Sequence, residues 1–143
     1  MKYLKRKMFS HEYTKKSYKD GFYIEAIQTL HSWMENRLQT LLLGIGTVKF
    51  GADSKNTWDV VNEISFKDAL KILYVIGQFD FNEYVSLREL NSARNKLIHK
   101  MYFEPYEKEY KGFIKKDLDK IFKTSLRLSE LIEDKIIKIY EEE

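Results

Sequence analysis

Hydrophobic and polar residues recur with the three- and four-residue spacing of amphipathic helices over most of this chain. The predicted helices are a basic N-terminal one within residues 1–19, then 22–43, a short one around Trp58, 65–77, 80 to about 103, and a long C-terminal one at about 114–141. No stretch sustains the two-residue alternation of a half-buried strand. The pattern predicts an all-α antiparallel bundle of four to five helices, forming one domain over residues 1–143.

Turn and capping signals set the expected ends of these helices. Ser65-Phe66-Lys67-Asp68 and Asp80-Phe81-Asn82-Glu83 are typical of helix starts with a side-chain cap. Gly44-Ile45-Gly46 is expected to end the second helix and open a loop over residues 44–56. Pro105 disfavours helix in the residue before it, so the helix from Asp80 should end near residues 102–104. Residues 105–113 are then a polar, tyrosine-bearing connector.

The helix that begins near Asp80 carries an unusual polar pattern. At 100° per residue, Arg94 falls inside an apolar stripe made of Leu87, Leu90, Leu97, Ile98 and Met101. A guanidinium on such a face is costly unless it is paired or lines a wet cleft. Polar and aromatic residues fill the adjoining strip: Tyr84, Arg88, Asn91, Asn95, His99 and Tyr102.

Composition and charge narrow the classes of function. Hydrophobic residues make up 43% of the 143 residues, which is ample for a packed core. The chain has no cysteine, which excludes disulfides, thiolate zinc sites and thiol nucleophiles and fits a reducing compartment. The net charge is only +3, but residues 1–19 hold seven Lys and Arg against one Glu, which gives +6. This basic segment, with Tyr3, Phe9, Tyr13 and Tyr18, either follows a phosphate backbone or is a solvated amphipathic helix.

The sequence gives little support for a metal site, a cofactor site or a membrane span. The three histidines His11, His31 and His99 fall on separate predicted elements, without a second ligand at metal-binding spacing. Gly44-x-Gly46 lacks the third glycine and the preceding strand of a dinucleotide loop. The longest apolar run, Leu41-Leu42-Leu43, is far shorter than the ~20 residues of a membrane span. We expect a cytoplasmic protein without cofactor or metal.

The segment Arg94-Asn95-Lys96-Leu97-Ile98-His99 resembles the Arg-x(4–6)-His motif of HEPN domains. This family contains helical, mostly homodimeric ribonucleases, including prokaryotic toxins and CRISPR-associated nucleases. As in the family, the motif lies late in the penultimate major helix, with Asn95 after the arginine and a long final helix following. The second predicted helix also looks like that of the family, and Glu35 matches a position that is frequently acidic.

The resemblance implies a metal-independent endoribonuclease that acts as a toxin or defence effector, with Arg94, His99 and Asn95 as catalytic residues. RNA carries its own nucleophile, the 2′-OH, and imidazole gains and loses a proton near neutral pH. The guanidinium of Arg94 can hold phosphate oxygens as negative charge builds. One histidine cannot serve both sides of an in-line displacement, so a homodimer that supplies a second His99 is expected.

Four further residues are candidates for substrate binding or regulation: Arg88, Asn91, Tyr102 and Glu35. In the toxin branch of the family, a partner nucleotidyltransferase antitoxin attaches AMP to a tyrosine in Arg-x(4)-His-x-Tyr. Tyr102 lies one residue further on, which puts that modification in doubt.

Two alternatives remain open. In the first alternative, Arg94 pairs internally with Glu35 and His99 only caps a face, so that both residues are structural. In the second alternative, the chain is a non-catalytic helical module that binds RNA or a partner protein, for example as the companion of a nucleotidyltransferase.

Overall fold

The computed structural model describes residues 1–103 and 106–142, and all regular elements in these ranges are helical. The six α-helices are α1 (Ser10–Lys19), α2 (Tyr23–Gly44), α3 (Ser54–Val61), α4 (Phe66–Val75), α5 (Phe81–Lys100) and α6 (Lys115–Glu141). A π-helical turn, Ile45–Lys49, extends α2, and a 3₁₀ turn, Met101–Phe103, extends α5. The all-α prediction is confirmed, but the described residues form six α-helices instead of four to five.

Helix α2 is the centre of the fold, because it contacts each of the other five α-helices. Five of its apolar residues are fully buried, with 0% exposure for Ala26, Leu30, Met34, Leu38 and Leu41. Burying an aliphatic side chain stabilises a fold by about 1.5–3 kcal/mol. A helix that is apolar over such a broad face is stable only when neighbours cover it on several sides.

The helices around α2 do not all run antiparallel to it. Hydrogen bonds join His31 to Asn91 and Gln28 to Arg94, so α5 runs opposite to α2. Helix α6 instead runs in the same direction as α2. Arg37 bonds to Glu133, and a Cβ added at Gly44 would lie 3.3 Å from Ile139. The antiparallel prediction is therefore wrong for the α2–α6 pair.

The start of α5 agrees with the sequence. The Asp80 carboxylate accepts from the Glu83 amide at 2.8 Å, and the Glu83 carboxylate accepts from the Asp80 amide at 2.8 Å. This capping box satisfies two of the free amides at the helix start. It fixes the register in which Leu87, Leu90 and Leu97 enter the core with at most 2% exposure.

The N-terminal helix is shorter than predicted. It begins only at Ser10, and residues 1–9 form no helix. Tyr3 and Leu4, two apolar residues of this segment, are 81% and 104% exposed. An isolated helix gains little without burial of a face, and a run of like charges opposes it. The buried residues of α1 are instead the small polar Thr14 and Ser17.

The expected helix end at Gly44-Ile45-Gly46 is also wrong. The chain continues through Gly44 in helical conformation (φ −60°) into the π-helical turn. A Cβ at Gly44 would lie 3.3 Å from Ile139 and 3.4 Å from Tyr140. The glycine therefore allows close approach of α2 to α6, and the predicted loop begins only after Lys49.

Two predictions at the end of α5 concern residues that lie partly outside the described ranges. The helical path reaches Phe103, as expected, whereas Glu104 and Pro105 are not described. Residues 106–113 form turns and bends, in agreement with the predicted connector. Within the described residues, none of the helices combines the length and apolarity that crossing a bilayer requires.

Candidate active site

Arg94 lies half-buried on the side of α5 that faces α2. Its Nε donates to the Gln28 Oε1 at 2.9 Å, and its Nη1 donates to the Asn95 Oδ1 at 3.0 Å. Both partners are neutral amides. Among the described residues, no carboxylate lies within ion-pair distance of Arg94. Its positive charge is therefore held in place but not neutralised.

Glu35 does not pair with Arg94. Its Oε2 accepts the backbone N–H of Phe66, the first residue of α4, at 2.8 Å. A carboxylate at this position satisfies a free amide and interacts favourably with the positive end of the helix dipole. The structure thus places Glu35 at the start of α4, away from the internal ion pair considered from the sequence.

Asn91 is also occupied within the chain. Its Oδ1 lies 2.8 Å from Nε2 of His31, a buried residue with 6% exposure. The His31 ring stacks on Phe66 at 4.4 Å between centroids. Burial lowers the pKa of His31, and the positive charge of Arg94 adds to this, while the Asn91 contact and Glu35 oppose it. His31 is therefore held neutral, with its Nε2–H donating to Asn91.

Together, Gln28, His31 and Glu35 from α2 with Asn91 and Arg94 from α5 form a polar cluster, here called the α2–α5 seam. The sequence interpretation missed Gln28 and His31 as members of it. The available signal was their position on α2, because residues at i, i+3 and i+7 share one face of a helix. Three polar residues on one face of an otherwise apolar helix indicate a polar partner on the neighbouring helix.

His99 lies on the opposite side of α5 from the core and is exposed. Five residues separate it from Arg94, which corresponds to about 140° around the helix and about 7.5 Å along it. The His99 side chain makes no hydrogen bond to any other described residue. One chain therefore does not bring the Arg94 guanidinium and the His99 imidazole to a common hydrogen-bonded site.

The remaining candidate residues lie along the same exposed side of α5 as His99. Asn95 is exposed and fixes Arg94 through its amide oxygen. The Arg88 guanidinium lies over the Tyr84 ring, 5.6 Å from its centroid. Tyr102, in the 3₁₀ turn, is 63% exposed. We call the surface of Arg88, Asn95, His99 and Tyr102 the exposed face of α5.

This arrangement offers acid–base and anion-binding groups. In the part of the chain that the structure describes, no three His, Asp or Glu side chains come together as a metal site would require. Comparison of the chain with protein-family models, with curated proteins and with solved structures finds no match.

Proposed function

We propose that the protein is a metal-independent endoribonuclease of the HEPN type, with a cleft formed by two copies of the chain. The observation that carries the proposal is the state of Arg94: a half-buried guanidinium held only by amides, one and a half turns before an exposed histidine on the same helix. A fixed, unneutralised cation near an acid–base group is what phosphodiester cleavage requires.

In the proposed reaction, one His99 removes the proton from the RNA 2′-OH, and the oxygen attacks the adjacent phosphorus. The bond from phosphorus to the 5′-oxygen breaks, and the second His99 donates a proton to the leaving oxygen. Arg94 binds the non-bridging phosphate oxygens as negative charge builds on them. The products are a 2′,3′-cyclic phosphate and a 5′-hydroxyl. DNA is not cut, because it lacks the nucleophile.

The geometry of α5 supports a homodimer. The two required histidines stand on opposite sides of the scissile phosphate, and each chain offers one exposed His99. A two-fold axis beside the exposed face of α5 brings both copies of His99 to one phosphate, with the Arg94 of each chain at the border of that face. Asn95 then orients the guanidinium of its own chain, and Arg88 extends the positive surface.

The test is cleavage of single-stranded RNA by the purified protein in EDTA, with analysis of the new ends. Cyclic phosphate ends are expected from the wild type, and loss of cutting is expected in both Arg94→Ala and His99→Ala. Lys100→Ala serves as the control, because Lys100 is exposed on the same last turn of α5. Undiminished cutting in both Arg94→Ala and His99→Ala would refute the assignment.

The second candidate is a non-catalytic module that binds RNA or a nucleotidyltransferase-type partner. The exposed aromatic side chains after α5, Tyr102 at 63% and Phe103 at 80%, favour a partner at this end of the helix. A partner antitoxin that modifies the chain would act on the Tyr102 hydroxyl. This candidate is supported if RNA binds with steep salt dependence, no turnover occurs, and His99→Ala has no effect.

A further inference from the structure

A second polar surface lies on the other side of Gln28, between the N-terminal segment and α2. It is a groove of about 640 Å³, which is within the size range of ligand sites. We call it the α1–α2 groove. The residues that matter for its chemistry are Arg6, His11, Gln28, Ser32, Trp33 and Arg37. It therefore combines cations, an indole ring and neutral polar groups.

The charges near the outer edge of the groove are positive. Arg6 is exposed, and its Nη1 donates only to the neutral Ser10 Oγ at 3.2 Å. Residues 1–9 contain four Lys and Arg and no acidic residue. Arg37, at the other end, is shared with Glu133 at 3.3 Å. The positive charge that is free to meet an anion is therefore concentrated at Arg6.

An aromatic platform lies between these two ends. Trp33 is half-buried and in edge contact with His11, at 5.0 Å between ring centroids. The contact fixes the indole ring while part of its surface stays accessible. Stacking on such a ring tolerates any base.

Gln28 connects the groove to the α2–α5 seam. Its side chain lines the groove and also accepts the hydrogen bond from the Arg94 Nε. A chain of phosphates lying in the groove is thus separated from the Arg94 guanidinium by one amide side chain.

We infer that the α1–α2 groove binds single-stranded RNA, with backbone phosphates at Arg6 and one base on Trp33, and leads the strand towards Arg94. The inference rests on the proposed function, because it assigns the groove to the substrate of that site.

The test uses a single-stranded RNA of about eight nucleotides with 2′-O-methyl riboses, which binds but cannot be cut. Binding is followed by the anisotropy of a labelled strand. Arg6→Glu should weaken the affinity at least tenfold and lower the salt dependence of binding by about one phosphate contact. Arg127→Glu is the matched control, because Arg127 is an exposed arginine that does not line the groove, and it should change the affinity less than twofold.

Trp33 provides a direct report from inside the groove. The chain has two tryptophans, so Trp58→Phe leaves Trp33 as the only indole. Its emission should be quenched saturably by the RNA, at the concentrations that saturate the anisotropy. The anisotropy experiment with Arg6→Glu needs no substitution of a tryptophan and stands if Trp58→Phe unfolds the protein.

Several results would overturn the inference. These are equal affinities for Arg6→Glu and Arg127→Glu, constant Trp33 emission at saturating RNA, or competition by AMP as strong as by the RNA strand. A change of oligomeric state in Arg6→Glu without loss of RNA affinity would assign the groove to a second copy of the chain. The two proposals fail separately: cleavage of natural RNA that is insensitive to Arg6→Glu removes only the groove, and Arg6-dependent binding without cleavage removes only the enzyme.

Discussion

The α2–α5 seam and the exposed face of α5 contain the same residue types in opposite roles. In the seam, Asn91 satisfies a buried histidine and Glu35 satisfies the start of α4. On the exposed face, Asn95 and His99 are open to solvent, and His99 has no hydrogen-bond partner among the described residues. Polar groups that are fully satisfied within the chain stabilise it, whereas unsatisfied ones are available to a ligand. Arg94 lies at the border and belongs to both regions.

The largest expected effect is on RNA cleavage, and its comparison with protein stability distinguishes the two regions. Arg94→Ala and His99→Ala should each lower RNA cleavage by at least about a hundredfold, the usual scale for loss of an acid–base or charge-stabilising group. Only Arg94→Ala should also destabilise the fold, by about 1 kcal/mol, because it leaves Gln28 and Asn95 without their donor. Cleavage rates and urea unfolding of both variants check this. Equal stability losses in the two variants would contradict the distinction.

Two asparagines on α5, one turn apart, offer a matched pair for stability alone. Asn91→Ala leaves the buried His31 N–H without an acceptor, which costs about 1–3 kcal/mol. Asn95→Ala removes an exposed amide and should cost less than about 0.5 kcal/mol. Urea unfolding of the two variants measures the difference. If Asn95→Ala is as destabilising as Asn91→Ala, the exposed face is structural after all.

Glu35→Ala should destabilise the protein by about 1 kcal/mol, because the Phe66 amide at the start of α4 loses its acceptor. Glu130→Ala is the control, since Glu130 is an exposed carboxylate in the middle of α6. Its effect should stay within about 0.5 kcal/mol. Thermal unfolding compares the two. If Glu35→Ala does not change the stability, Glu35 is free for the substrate-related role expected from the sequence.

The smallest effect is a dependence of stability on pH that comes from the seam. The pKa of His31 is lowered in the folded protein, chiefly by burial, so the unfolded chain binds its proton first as the pH falls. Stability is therefore full above about pH 6.5 and declines as the pH falls below it. The pKa of Asp119 is also lowered, by the Tyr18 hydroxyl and Lys115, but its contribution is lost only in the more acidic carboxylate range.

Urea unfolding at about pH 7.5 and about pH 5 isolates the His31 contribution. The wild type and His99→Ala should both lose stability between these values, and His31→Gln should lose less. The same pH dependence in His31→Gln and in the wild type would show that the seam does not cause it.

The elements that the sequence predicted well are those whose signals are local. Helices α5 and α6 follow from apolar spacing, and the start of α5 follows from the Asp80–Glu83 capping box. The first helix was predicted too long because amphipathic spacing does not reveal whether a face meets the core. Gly44 was read as a terminator because its close contact with α6 depends on a residue nearly a hundred positions away.

The features of the candidate site also differ in whether local sequence signals predict them. The positions of Arg94 and His99 on one helix, about 140° apart, follow from the helical period alone. The partners of Arg94 and the roles of Asn91 and Glu35 depend on which helices pack together, and the sequence pattern does not contain that information. Gln28 and His31 share one face of α2 with Glu35, which indicates a polar partner but does not identify that partner as α5. Whether two chains complete the cleft depends on a contact between copies, one level beyond the fold of a single chain.

The central claim is that both copies of His99 act on one phosphate, and mixed dimers test it most directly. Wild type and His99→Ala are unfolded together, refolded in equal amounts and assayed for RNA cleavage at fixed total protein. If a cleft needs two intact histidines, only the wild-type dimers are active, and the rate should be about one quarter of the pure wild-type rate. A rate of about one half would show that each chain acts alone and would contradict the shared cleft.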